Sequence, residues 1–193
     1  MKKLSVALMT KNNEDCVGRC LESLKWADEI VVLDGYSKDK TIQICRKYTD
    51  KIYQKEFESF PIERDFLLKK TANNWVLSAD ADMYFPPEIC EEIRSVLEDP
   101  EHDAYLLKGL TIFLNRQIKH CGWYEPRYLR LFNKEKGHYD LTLRCIDPFI
   151  THGKIGTLKN HFLHYGGDDF ADYFAKIKRY SMLTAEEYQI KGI

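Results

Sequence analysis

The chain has 193 residues, 44% hydrophobic and 31% charged, with a formal net charge of −1. That length is enough for one domain with a sizeable core, and the composition is globular rather than disordered. The near-neutral balance argues against general nucleic-acid binding, which leaves a basic footprint, and no apolar run is long enough to span a bilayer.

Met1 to Met9 begins with two lysines, as a signal peptide does. Its apolar run stops early, at Thr10-Lys11-Asn12-Asn13, without a small-residue cleavage site, so it reads as a first strand from Leu4 to Met9. The six cysteines (Cys16, Cys20, Cys45, Cys90, Cys121, Cys145) contain no CxxC pair. Cys16 and Cys20 share a helix face but lack a second ligand pair, so free, mostly buried thiols in a reducing cytoplasm are expected.

Asn12 to Asp15 supplies a turn and a helix start, and Cys16 to Leu24 has helical spacing. Glu29 to Asp34 is a second buried strand that ends in an acid, followed by a loop over Gly35–Asp39 and a helix from Lys40 to Tyr48. Lys51 to Gln54 is a short third strand, and Pro61 to Lys70 a helix with Phe66, Leu67 and Leu68 turned inward. After the strand beginning at Trp75, a helix runs from Pro87 to Leu97 with proline in its first turn. Strand and helix alternate throughout this half, which implies a largely parallel sheet covered on both faces. Such sheets bind ligands at the carboxyl ends of their strands, and Asp34 and Asp80 both stand at such ends.

The stretch Trp75-Val76-Leu77-Ser78-Ala79-Asp80-Ala81-Asp82 organises the chemistry. A buried strand finishing in two acids one residue apart sets like charges against each other, unless a cation lies between them. The simplest such cation is Mg²⁺ or Mn²⁺, shared with the phosphates of a ligand. The bland alternative is that both acids cap the turn leading to Pro86 and Pro87.

The second half changes character. Ala104 to Leu114 and Tyr128 to Phe132 read as strands, with Gly122-Trp123-Tyr124-Glu125-Pro126 as a loop between them, and Ile155 to Tyr165 is mixed. Asp168 to Tyr188 is an amphipathic helix. Its stripe is Phe170, Tyr173, Phe174, Ile177 and Tyr180, and Lys176, Lys178 and Arg179 are basic. Such a helix lies against a membrane or a following segment, or packs on its own core.

Taken in order, Leu4-Ser5-Val6, Thr10-Lys11-Asn12, Trp26 to Asp34, Ser37 to Thr41, the Asp80/Asp82 strand, Gly122-Trp123-Tyr124, Arg130-Leu131-Phe132, His164-Tyr165 and Lys178-Arg179-Tyr180-Ser181 resemble the inverting family 2 glycosyltransferases. Within these they resemble the bacterial branch that builds lipopolysaccharide core and related surface glycans. The resemblance implies one GT-A domain over 1–193: an α/β fold with a mixed, mostly parallel sheet and helices on both faces. Residues 1–100 would bind the nucleotide sugar, 101–167 would form the acceptor side, and 168–193 would be the terminal helix.

The donor would be a nucleotide-diphosphate sugar, most often UDP-linked, and the acceptor a saccharide or lipid-linked glycan. The location would be cytoplasmic, or peripheral at the inner face of the cell membrane. Thr10, Asn12, Glu14 and Asp34 would hold base and ribose, with Asp39 and Arg64 beside them. Asp39 could instead cap the helix that follows, and Arg64 could lie on a solvated face. Asp80 and Asp82 match the family's metal acids, with Asp82 as the direct ligand and Asp80 on the sugar, the ribose or a metal-bound water. A late histidine of the fold corresponds to His164, and Arg127 and Arg130 could contact phosphate.

Inverting transfer also needs a general base. Close relatives carry His-Glu where this chain has Ile146-Asp147. Asp147 is therefore the candidate, with Asp140 and Glu125 next. That departure keeps open a nucleotide-sugar-binding scaffold without full activity. A nucleotidyltransferase is the remaining alternative, although Thr10 to Glu14 is not the Gly-rich basic loop expected there.

Overall fold

A computed structural model describes residues 1–120, 123–146, 148–167 and 170–192 of the chain. The first half alternates as expected. Strands β1 (Leu4–Thr10), β2 (Glu29–Asp34), β3 (Ile52–Gln54) and β4 (Trp75–Asp80) are separated by helices α1 (Val17–Leu24), α2 (Thr41–Cys45) and α3 (Phe60–Lys70). A two-residue strand β5 (Met83–Tyr84) and helix α4 (Pro87–Glu98) follow. The second half holds β6 (Ala104–Phe113), β7 (Arg116–Gln117), β8 (Tyr124–Asn133), β9 (Gly137–Tyr139), β10 (Phe149–Thr151), β11 (Ile155–Gly167) and α5 (Phe170–Lys191).

Among the described residues, nine strands form one sheet in the order β3-β2-β1-β4-β8-β6-β11-β5, with β7 paired to the end of β6. Strands β1 to β4 are mutually parallel, as is β6 with β11, whereas β8 runs antiparallel between β4 and β6. Strands β9 and β10 make a separate antiparallel pair.

The core divides by strand alternation, since successive side chains point to opposite faces. Leu4, Val6, Leu8, Val32 and Leu77 pack with Val17, Leu21 and Leu24 of α1 and with Ile89, Ile93 and Leu97 of α4. Ala7, Val31, Leu33 and Val76 pack with Leu67 and Leu68 of α3 and with Phe132, Tyr139 and Phe149. Phe132 and Phe149 stack with centroids 3.8 Å apart. Helices thus cover both faces of the parallel half. Helix α3 is fixed at its start by Ser59, whose hydroxyl accepts from the Ile62 amide, and by Pro61 in the first turn.

Four expectations change. Helix α2 is five residues long, not the longer helix to Tyr48. Strand β8 begins at Tyr124, so most of the expected loop is already strand. Ile155 to Tyr165 is not mixed but the body of one long strand, with a register shift between Thr157 and His161. On α5 the expected stripe is only partly covered: Phe170, Phe174, Ile177 and Tyr180 are all more than 40% exposed. Cys20, Cys45 and Cys90 are buried free thiols, as expected, and Cys16 and Cys145 are half-buried ones. Burial and the nearby Asp82 charge push the Cys16 thiol up to about 11, so it is neutral.

Candidate active site

Three parallel strands end level with one another. Thr10 of β1 registers with Asp34 of β2, and Met9 with Asp80 of β4. Sheets of this kind bind ligands in a crevice beyond such strand ends. A cavity of about 310 Å³ opens there, lined by residues from β1, β4, α3, β8, β11 and α5.

Asp80 lies at its centre and is doubly held. Arg64 of α3 donates through Nη2 to one carboxylate oxygen and through Nη1 to the Ala79 carbonyl at 3.1 Å. Arg130 of β8 donates to the other oxygen at 3.2 Å. Arg130 arrives there because β8 is antiparallel: Leu131 pairs with Leu77, so the residue before it moves toward the end of β4. Burial alone would raise the Asp80 carboxyl, but the two guanidiniums outweigh it and hold it below the usual range.

Asp82 is placed differently. Strand β5 pairs antiparallel with β11, setting Met83 against His164, and the Tyr165 amide donates to the Asp82 carbonyl at 2.9 Å. That register brings His164 Nε2 to 3.4 Å from Asp82 Oδ1, an ion-pair contact rather than an aligned hydrogen bond. Lys176 of α5 lies 3.6 Å from Oδ2. Oδ1 is buried and has no hydrogen-bond partner. Burial would raise the Asp82 carboxyl, but His164 and Lys176 pull it down; Asp82 in turn raises the His164 imidazole against the effect of its burial.

Among the described residues, no three His, Cys, Asp or Glu side chains are grouped to hold a metal unaided. Two donors do converge: the orphaned Asp82 Oδ1 and His164 Nε2. A carboxylate and an imidazole, completed by phosphate oxygens and water, suit a hard divalent ion. Asp80 is a poor direct ligand, since both of its oxygens already accept from arginine.

The other expected residues separate into two groups. Thr10, Arg64, Asp80, Asp82, Arg130 and His164 line the cavity. Asn12, Glu14 and Asp39 instead bind two loops together. Asn12 Oδ1 accepts from the Lys38 amide at 2.8 Å, Glu14 Oε2 from the Lys40 amide at 2.9 Å, and Asp39 from the amides of Glu14 and Thr41 at 3.1 and 2.9 Å. Asp34 is fully buried, and accepts from Ser37 and, at 3.0 Å, from Gln54. Its neighbours Leu33 and Gly35 line the cavity, but Asp34 itself does not.

Asp147 lies outside the described residues. Cys145, two positions earlier in the chain, lines the cavity. The other base candidates are engaged elsewhere: Asp140 Oδ1 accepts from the Thr142 amide and hydroxyl, and Glu125 pairs with His161 at 3.0 Å. Trp123 packs edge-on with Phe113 and tilted against Tyr173, and Arg127 is exposed and off the cavity. Residues not expected at the site also line it, among them Lys55, Phe57, Phe60 and Glu63, and Lys176, Arg179 and Tyr180, named above only as parts of the amphipathic helix α5 and of the family resemblance. The spacing of 176, 179 and 180 was the available signal, since such positions share one helix face.

The profile of glycosyl transferase family 2 matches residues 5–159, about four-fifths of the chain. The chain belongs to glycosyl transferase family 2. Among its relatives, an uncharacterized glycosyltransferase of Rickettsia typhi is 28% identical over all of this chain and 70% of its own length. The lipopolysaccharide core biosynthesis glycosyltransferase LpsC of Rhizobium meliloti is 24% identical over 98% of this chain and 73% of its own. The crystal structure of S. aureus TarS 1-349 in complex with UDP-GlcNAc superposes with a TM-score of 0.65 at 18% identity, covering 97% of this chain and 70% of that one. The fold of this family 2 chain is thus that of the GT-A glycosyltransferases, and the protein is an enzyme of that kind. The matched segment ends before His164 and before α5, both of which contribute to the cavity.

Proposed function

We propose that this glycosyltransferase moves a sugar, with inversion, from a UDP-sugar to a hydroxyl of a surface-glycan or lipid-linked saccharide, with a divalent metal bound at Asp82. The observation that carries this reading is the pair of contrasted carboxylates: Asp80 is held by an arginine on each oxygen, while Asp82 keeps a buried oxygen without a hydrogen bond that faces His164. A buried carboxylate oxygen left unpaired is costly and marks a place for a ligand. UDP as the nucleotide is supported by the TarS complex, and the acceptor class by the name of LpsC.

Asp82 and His164 are the residues that would hold Mn²⁺ or Mg²⁺, and the ion would supply Lewis-acid neutralisation of the departing diphosphate. Asp80, fixed by Arg64 and Arg130, presents a rigid acceptor to the sugar or ribose hydroxyls. Thr10, at the end of β1 and in the cavity lining, would take the ribose side. Asp147, as the general base, would take the proton from the acceptor hydroxyl as the new bond to the anomeric carbon forms and the bond to the diphosphate breaks. Inversion follows because attack and departure are on opposite faces.

The test is titration of UDP-sugar with and without Mn²⁺ into the wild type and Asp82→Asn. Wild-type affinity should rise with metal and the variant should lose that response. Metal-dependent affinity that survives in Asp82→Asn would remove the assignment. Turnover assayed as UDP release across saccharide acceptors distinguishes transfer from binding alone.

A further inference from the structure

Helix α5 lies wholly beyond the family-matched residues 5–159, yet three of its side chains line the cavity. Lys176, Arg179 and Tyr180 stand three and four positions apart and so face one way. Each is positioned by a different contact. The Lys176 ammonium is 3.6 Å from Asp82 Oδ2, an ion pair without the length of a hydrogen bond, and its side chain is 43% exposed. The Arg179 guanidinium lies over the Phe57 ring at 4.4 Å from the centroid and near Phe60 at 5.7 Å. The Tyr180 ring packs against Phe60 at 5.8 Å. Phe57 and Phe60 themselves line the cavity, so α5 is fastened to its wall.

The charge balance of the site gives this arrangement a purpose. Arg64 and Arg130 both bind Asp80, so much of their charge already answers a carboxylate. A diphosphate entering the same cavity brings further negative charge, and more accumulates on it as the glycosidic bond breaks. A guanidinium stacked on an aromatic face still presents its N–H edge, which forks onto phosphate oxygens. An ammonium on a flexible stem, loosely paired with one carboxylate, can turn toward a phosphate a few ångströms away.

We propose that Lys176 and Arg179 form a cationic clamp on the diphosphate of the donor, so that the site is complete only when α5 is in place. This rests on the donor being a nucleoside-diphosphate sugar. The clamp contributes to binding of the diphosphate and leaves recognition of the nucleoside to the strand ends.

The experiment is calorimetric titration of UDP and of uridine into the full chain, with Mn²⁺ present throughout. The proteins are the wild type, Lys176→Gln, Arg179→Gln and, as a control, Lys178→Gln, which is exposed and does not line the cavity. Each clamp variant should lose UDP affinity by about tenfold or more, the loss expected for one charge-assisted hydrogen bond. Uridine affinity should stay within about twofold, which also reports that the variant is folded, and Lys178→Gln should match the wild type. UDP affinity unchanged in both clamp variants, against a wild type that prefers UDP to uridine, overturns the clamp and leaves the donor reading intact. A wild type that binds UDP no better than uridine overturns the donor reading and the clamp together.

Discussion

Replacing Arg64 by methionine tests whether the two guanidiniums hold Asp80 as a structural charge. Arg64 is 2% exposed and touches both the Ala79 carbonyl and the Asp80 carboxylate. Removing one partner of a buried ion pair costs about 3–5 kcal/mol. Asp80 is 27% exposed and keeps Arg130 at 3.2 Å, which places its share near the lower end of that range. The lost bond to Ala79 adds about 1 kcal/mol. A total loss of about 3–4 kcal/mol follows, read from urea unfolding as a fall in midpoint at unchanged slope.

The sign with pH is also fixed. The folded Asp80 carboxyl titrates below its ordinary value, so its stabilisation is fully present above the ordinary aspartate range and is lost as pH falls through the lowered value. Arg64→Met raises the folded value, so acid destabilisation should begin at higher pH. In Arg64→Met/Asp80→Asn the buried charge is gone, and a double-mutant cycle should return a coupling of about 1–3 kcal/mol. A single-variant loss below about 1 kcal/mol, or no coupling, would refute the account.

Four further outcomes are expected. Glu29→Gln should cost about 1–3 kcal/mol in thermal unfolding, because Glu29 is a buried carboxylate that binds Ser5, Lys51 and, at 2.7 Å, the Ala72 amide. Burial raises the Glu29 carboxyl but its three partners outweigh that and lower it, so this contribution too should be lost on acidification. Leu77→Ala, fully buried at the middle of β4, should cost about 2–5 kcal/mol by chemical denaturation. Gly137→Ala should destabilise by about 1–3 kcal/mol or more, since an added Cβ would lie 2.2 Å from the Ile150 carbonyl oxygen and 2.5 Å from the Phe149 ring; a neutral result would show that the β9–β10 pair yields easily. Asp147→Asn should slow transfer while leaving UDP-sugar affinity close to wild type; undiminished turnover would move the general base to another residue.

The sequence by itself determined the parallel half of the fold. Runs such as Glu29 to Asp34 and Trp75 to Asp80 are apolar on both faces, and only a strand covered by helices on each side can bury them, so the parallel direction followed from local pattern. The carboxylates at strand ends were legible for the same reason, because a charge closing an apolar run stands out in one dimension. Tertiary structure alone decided what each charge meets. Asp80 and Asp82 are two residues apart and chemically identical in the sequence. One is claimed by arginines from α3 and β8, while the other faces His164 and Lys176 from β11 and α5. Likewise Asp34 turned inward to Ser37 and Gln54, and Asn12, Glu14 and Asp39 were taken up in fastening two loops. These pairings join residues up to about a hundred positions apart, through the antiparallel insertion of β8 and the register of β5 on β11. Sheet register is set by long-range packing, and no local pattern encodes it.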